Sequence, residues 1–89
     1  MKVQFYADPG HGWAKVKRQL LKEIGIEDKI SSYSYQKGDH VFLEEDCDQS
    51  LFWQTMKAQG REVEYVPHHS NNYSRIRSYL SIKPEGLTQ

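Results

Sequence analysis

The chain has 89 residues, with 12 Lys or Arg against 12 Asp or Glu, so its formal net charge is zero. This length suits one domain with a small core and is too short for two. The charge balance argues against a protein that coats nucleic acid non-specifically, because such proteins carry a basic excess.

The first two predicted elements are a strand and a helix. Lys2–Ala7 alternates apolar and polar residues, which is typical of a half-buried strand. The next five residues carry a Pro-Gly turn signal. Apolar residues then recur at helical spacing with basic residues between them, which predicts an amphipathic helix over Trp13–Ile24, ended by Gly25. A short extended piece at Gly12–Val16 before a shorter helix is the alternative, and we favour the single helix.

Four further elements follow. Ile30–Gln36 and His40–Glu45 predict the two strands of a hairpin. Asp48–Gln59 predicts a second helix, with N-cap candidates in the acidic run that precedes it and Gly60 at its end. Glu62–Val66 alternates again and predicts a strand that stops before the following proline.

The order of these elements predicts the fold class. Strand, helix, strand, strand, helix, strand is typical of an α+β two-layer sandwich with ferredoxin-like βαββαβ order and both helices on one face. Arg75–Ile82 alternates and predicts an extra C-terminal edge strand. Residues 1–82 are expected to form one globular domain, and residues 83–89 a flexible tail. The expected core includes Phe5, Leu20, Ile24, Leu43 and Phe52.

We expect neither a metal nor a cofactor. The four histidines and the acidic run at residues 44–48 lack the paired ligand spacing of zinc sites, and no motif names a reaction. Cys47 lies among carboxylates that raise a thiol pKa, so it is a poor nucleophile. These acids are better explained by the second helix, whose N-terminus they cap and balance. A small enzyme, such as a nuclease that uses His68 or His69 with Arg75, ranks third among the functions considered.

The compartment follows from the same counts. One cysteine excludes an intramolecular disulfide, which a secreted domain of this size would normally have. No run approaches the ~20 apolar residues of a membrane span. The N-terminal residues lack the apolar core of a signal peptide. We therefore expect a cytoplasmic protein that does not associate with a membrane.

Charge is unevenly distributed along the chain. Residues 1–25 carry five basic and two acidic side chains, whereas residues 26–50 carry two and seven. Such polarity favours a specific protein partner or head-to-tail self-association. The candidate partner-binding residues are a basic helix face, an outward row on the last strand and one tryptophan outside its helix's apolar stripe: Lys15, Arg18, Lys22, Arg75, Arg77, Tyr79 and Trp53.

Aromatic residues on the uncovered sheet face support a rival interpretation. Tyr6 is expected there, together with either the pair Tyr33 and Tyr35 or the pair His40 and Phe42. RNA-recognition modules stack bases on such a face, so a nucleic-acid binder that uses these tyrosines with Arg75 and Arg77 is the second candidate. The strand His40–Glu45 is acidic, unlike the basic signature of that module. Homodimerisation is an equally good use of the face.

Four segments resemble a group of short proteins encoded by phages, prophages and plasmids: ADPGHGW at 7–13, ISSYSY at 30–35, LEEDCD at 43–48 and RIRSY at 75–79. The resemblance implies a mobile-element accessory protein that acts in a bacterial cytoplasm. Small proteins of this kind often neutralise a host defence complex by occupying its surface, anti-CRISPR inhibitors among them. The preferred hypothesis is therefore a non-enzymatic protein that inhibits or modulates a host protein complex.

Overall fold

The computed structural model describes residues 1–70, 76, 80 and 81. The predicted tail at 83–89 lies outside the described residues. In chain order the elements are β1 (Lys2–Ala7), β2 (Gly12–Lys17), α1 (Arg18–Ile24), a 3₁₀ turn (Glu27–Lys29), β3 (Tyr35–Lys37), β4 (His40–Glu44), α2 (Asp48–Ala58), β5 (Glu64–His69) and β6 (Leu80–Ser81). No helix in the described part of the chain is long and apolar enough to cross a bilayer.

Within the described residues, six strands form one mixed sheet in the order β5-β1-β2-β4-β3-β6. β1 and β5 are parallel, and the other neighbouring pairs are antiparallel. α1 and α2 share a buried apolar cluster with one face of the sheet. The protein is therefore an α+β two-layer sandwich, as predicted.

The core lies between this face and the helices. Because side chains alternate along a strand, β1, β2 and β4 each contribute every second residue to it: Val3, Ala14, Val16, Val41 and Leu43. Phe52 and Met56 fill it from α2. Leu20, Ile24, Leu43 and Phe52 are buried, and Phe5 packs against them partly buried, so the predicted core is confirmed.

The predicted helix Trp13–Ile24 is wrong in its first half. Residues 12–17 form the central strand β2, and the helix begins only at Arg18. The apolar spacing suits both structures, since Ala14 and Val16 share a strand face as well. Pairing with β1 on one side and β4 on the other satisfies the backbone of β2, and this tertiary contact overrides the helical pattern. The element order thus differs from the ferredoxin-like one by an added strand.

A hairpin, and not the expected strand-to-helix reversal, joins β1 to β2. The Asp8 carboxylate accepts hydrogen bonds from the backbone N–H groups of Gly10 and His11, each at 2.9 Å. This arrangement is the Asx turn that aspartate favours. A Cβ at Gly12 would lie 2.7 Å from ring atoms of Phe5, so only glycine lets that ring pack over the start of β2.

The remaining elements match their predictions except at their ends. β3 (Tyr35–Lys37) overlaps the predicted strand Ile30–Gln36 only at Tyr35 and Gln36. β6 pairs with β3 at the sheet edge, so the extra strand is confirmed over a shorter range. β5 continues through Pro67. This strand lies at the opposite edge of the sheet, where the missing N–H of a proline can face away from the neighbouring strand. Gly25 and Gly60, at φ 85° and 73°, end the helices as predicted.

Candidate functional site

The sheet face opposite the helices carries a second cluster of packed side chains. Tyr6, Trp13, Tyr35 and Phe42 form an aromatic cluster there. Ile76 packs on this cluster, and Trp13 and Phe42 are only 2% and 6% exposed. These two rings are therefore part of a second small core, and their faces are not available to stack on bases.

One aromatic pair remains at the rim of the cluster. The rings of Tyr6 and His68 stack with centroids 4.8 Å apart and an interplanar angle of 18°. The His68 ring also hydrogen-bonds the side chain of Gln4. This pair is the part of the face that most resembles a stacking platform.

Three lysines lie on the same face of the sheet. Lys15 and Lys17 alternate with core residues along β2, and Lys2 precedes the core residue Val3 in β1, so all three point away from the helices. We call Lys2, Lys15 and Lys17 the lysine face. Among the residues that the structure describes, no ion pair involves any of them. The lysine face is thus a local positive surface on a protein of zero net charge.

Acidic residues lie at and after the C-terminal end of β4, at the other end of this strand from the residue that pairs with Lys17. Two of their carboxylates stabilise the start of α2. Glu44 accepts hydrogen bonds from the backbone N–H groups of Asp46, Cys47 and Asp48. Glu44 therefore satisfies backbone groups at the start of α2, whose N-cap residue is Cys47. The buried Asp48 carboxylate accepts hydrogen bonds from the hydroxyls of Ser31 and Ser34, at 2.7 and 2.5 Å. The Glu44 and Asp48 carboxylates thus both hold backbone or side-chain groups around the start of α2.

The capping role of Glu44 gives a pH prediction. Partial burial raises the pKa of Glu44, but hydrogen bonds from three backbone N–H groups and the charge of His11 lower it by more. The net effect is a pKa below the ordinary value of 4.5. A lowered pKa stabilises the fold above that ordinary value, and the contribution is lost as pH falls through the folded-state pKa. We expect Glu44→Gln to cost about 1 kcal/mol near neutral pH, as loss of a cap does. The difference should shrink in acid, measured by urea unfolding at several pH values. A difference that stays constant with pH would contradict this assignment.

Cys47 is exposed at the same end. The charge of Glu44 raises its pKa, and desolvation, Asp48 and Asp46 raise it further. This direction was expected from the sequence. It opposes formation of the thiolate that a nucleophilic cysteine requires.

The predicted basic helix face is wrong, because its three residues lie in different environments. Lys15 is in β2, on the sheet face that points away from α1. The Arg18 guanidinium donates to the side-chain amide oxygen (Oε1) of Gln36 at 2.8 Å, and its Nε is buried without a partner among the described residues. Lys22 is exposed on α1 at 4.0 Å from Glu27. Arg18 is structural, and only Lys15 belongs to the lysine face.

Trp53 lies on the helix side of the sheet. Its ring stacks on Tyr65 with centroids 5.8 Å apart, and the Lys57 ammonium lies 5.9 Å from the ring centroid. Trp53 is half-buried by these contacts. A partner on the lysine face would not reach it.

Arg75, Arg77 and Tyr79 lie outside the described residues. The residues that the sequence prediction missed are Lys2 and Lys17. Strand alternation over Gly12–Lys17 was the signal that would have placed Lys17 beside Lys15, and it was outweighed by the helical spacing.

The histidines do not converge. His68 and His69 are neighbours in β5, so their side chains point to opposite faces of the sheet, and His40 lies 3.0 Å from Asp39. Over the described ranges 1–70, 76 and 80–81, no group of three His, Cys, Asp or Glu side chains could hold a metal ion.

Comparisons with protein-family models, with curated proteins and with solved structures gave no match to the chain.

Proposed function

We propose that this protein is a non-enzymatic binding protein whose lysine face docks on an acidic surface of a protein partner. The observation that carries the proposal is the lysine face itself, in which three ammonium groups share one sheet face and have no ion-pair partner in the described part of the chain. Uncompensated lysines on a protein of zero net charge favour a partner with a complementary patch.

A protein partner is favoured over nucleic acid for two reasons. Trp13 and Phe42, the central rings of the sheet face opposite the helices, are buried and cannot stack on bases. The acidic residues around Glu44 lie at the far end of the same strand that borders Lys15 and Lys17, and they would repel a polyanion that extended along the face. A partner with charges of both signs fits this bipolar surface better.

The resemblance to phage, prophage and plasmid proteins supports a role for this docking. An accessory protein of a mobile element would act in the bacterial cytoplasm and would inhibit or modulate a host protein complex by occupying its surface. No metal and no cofactor enter this proposal, since occupation of a surface requires neither.

Affinity capture tests the proposal. The protein is immobilised and incubated with bacterial lysate, with and without nuclease, beside a Lys15→Glu, Lys17→Glu variant. We expect a protein that is retained after nuclease treatment and lost with the variant. Retention of nucleic acid alone, or of proteins that nuclease releases, would favour the nucleic-acid binder instead.

A further inference from the structure

We infer that the cleft between β1 and β2 binds a peptide segment of the partner in which one apolar side chain is flanked by carboxylates. The inference rests on the proposed function and names the chemistry that the lysine face recognises. It combines three features of one place in the fold: an apolar floor, a cationic rim and backbone groups that, within the described residues, no strand engages across the cleft.

The cleft exists because β1 and β2 separate before either strand ends. Their antiparallel register stops at Gln4↔Lys15. β1 continues along β5 as far as Lys2, and β2 continues along β4 as far as Lys17. The cavity that opens here has a volume of about 440 Å³, which lies within the usual range of ligand pockets.

The floor of the cleft is apolar. Val3 from β1, Val16 from β2 and Leu20 from α1 line it, and all three belong to the main core. The separation of the strands therefore gives a ligand access to the edge of the core. An apolar side chain that packs here loses its own contact with water against a floor that is itself buried, and this stabilises the complex.

The rim is cationic. Lys2, Lys15 and Lys17 line the cavity, and Glu23 is the one carboxylate residue among the described lining residues. Glu23 lies 3.9 Å from Arg61, which offsets its charge. Carboxylates on either side of a bound apolar side chain would meet the lysines at distances where the attraction is least screened.

Backbone groups complete the cleft. The N–H of Glu64 donates to the Met1 carbonyl at 2.9 Å, so the next residue, Lys2, turns its N–H and carbonyl toward β2. The same alternation, counted from Lys15, turns the backbone groups of Lys17 toward β1. Within residues 1–70 the register of β1 with β2 does not join Lys2 to Lys17. An extended peptide can hydrogen-bond to such groups, as in strand addition.

Nucleic acid uses fewer of these features. Its phosphates would satisfy the lysines, but a phosphate-rich strand places no apolar group against the aliphatic floor formed by Val3, Val16 and Leu20. An acidic peptide with an apolar residue satisfies the floor, the rim and the backbone together.

Three fluorescein-labelled probes test the inference on the full chain: four glutamates around one leucine, five glutamates, and an oligothymidylate. Affinity is measured by fluorescence anisotropy, and contacts are mapped by amide chemical shifts. We expect the leucine peptide to bind at least tenfold more tightly than the glutamate peptide and to shift the amides of Lys2, Lys17 and Leu20. Lys2→Ala with Lys17→Ala should weaken it at least tenfold, whereas Lys29→Ala, an exposed lysine outside the cleft, should not.

The other outcomes separate the cleft from the function. Equal binding of the two peptides, with shifts confined to the lysines, overturns the cleft and leaves the proposed function standing. Binding of the oligothymidylate alone overturns both. If no probe binds, the cleft is overturned, and affinity capture decides the function independently.

Discussion

The double substitution Lys15→Glu with Lys17→Glu should weaken partner binding about a hundredfold, or about 2.8 kcal/mol, without unfolding the protein. Both side chains belong to the lysine face, where Lys17 is exposed and Lys15 is half-buried. Neither has an ion-pair partner among the described residues. Reversal of their charge converts attraction to an acidic surface into repulsion. The measurement is titration calorimetry with the captured partner, beside thermal melts of both proteins.

A matched control separates local from overall charge. Lys29→Glu with Lys57→Glu makes the same change in net charge at exposed lysines outside the lysine face, and it should leave affinity within about threefold, since distant exposed charges are screened. Equal loss of affinity in both variants would contradict a local lysine face. A salt titration then tests the partner class, because phosphate contacts give a steep dependence on salt and a protein surface gives a shallow one.

The largest effect on stability is expected from Phe52→Ala. Phe52 is fully buried on the core-facing side of α2, in the same cluster as Leu21, Leu43 and Met56. Truncation removes a large apolar surface and leaves a cavity that close-packed neighbours fill only partly, so we expect a loss of about 3–5 kcal/mol in the free energy of unfolding. That loss is a large share of the stability of a small domain. Urea unfolding at neutral pH measures it.

Tyr33→Ala is the control for this prediction. Tyr33 is 72% exposed, so removal of its ring should change the free energy of unfolding by no more than about 0.5 kcal/mol. A Phe52→Ala variant as stable as the Tyr33→Ala variant would show that α2 does not pack on the sheet as described.

Much of the fold was predictable because local signals and tertiary contacts agree there. The alternation over Lys2–Ala7 predicted a strand with the same first and last residues as β1. Gly25 and Gly60 end their helices because a left-handed backbone is accessible to glycine at little cost. The apolar stripe of α2, including Phe52 and Met56, faces the core as its spacing indicates.

The candidate site was less predictable, because its residues come together only through strand pairing. Lys2 and Lys17 are far apart in sequence and share a face because β1 and β2 are neighbours. Trp53 was expected to be a contact because it lies off the apolar stripe, but Tyr65 from β5 supplies it with a packing partner. No local pattern reports such a partner.

The sequence by itself determined a small α+β protein with the C-terminal ends of its helices, most of its core and an absence of paired metal-ligand spacing. Only the tertiary structure decided the state of residues 12–17, whose apolar spacing suits a helix and a strand alike. β1 and β4 lie on either side of that segment and take up its backbone hydrogen bonds, so it becomes the central strand. Because of this pairing, Lys15 and Lys17 lie on the sheet face opposite the helices, where they form the lysine face with Lys2 and line the cleft beside it.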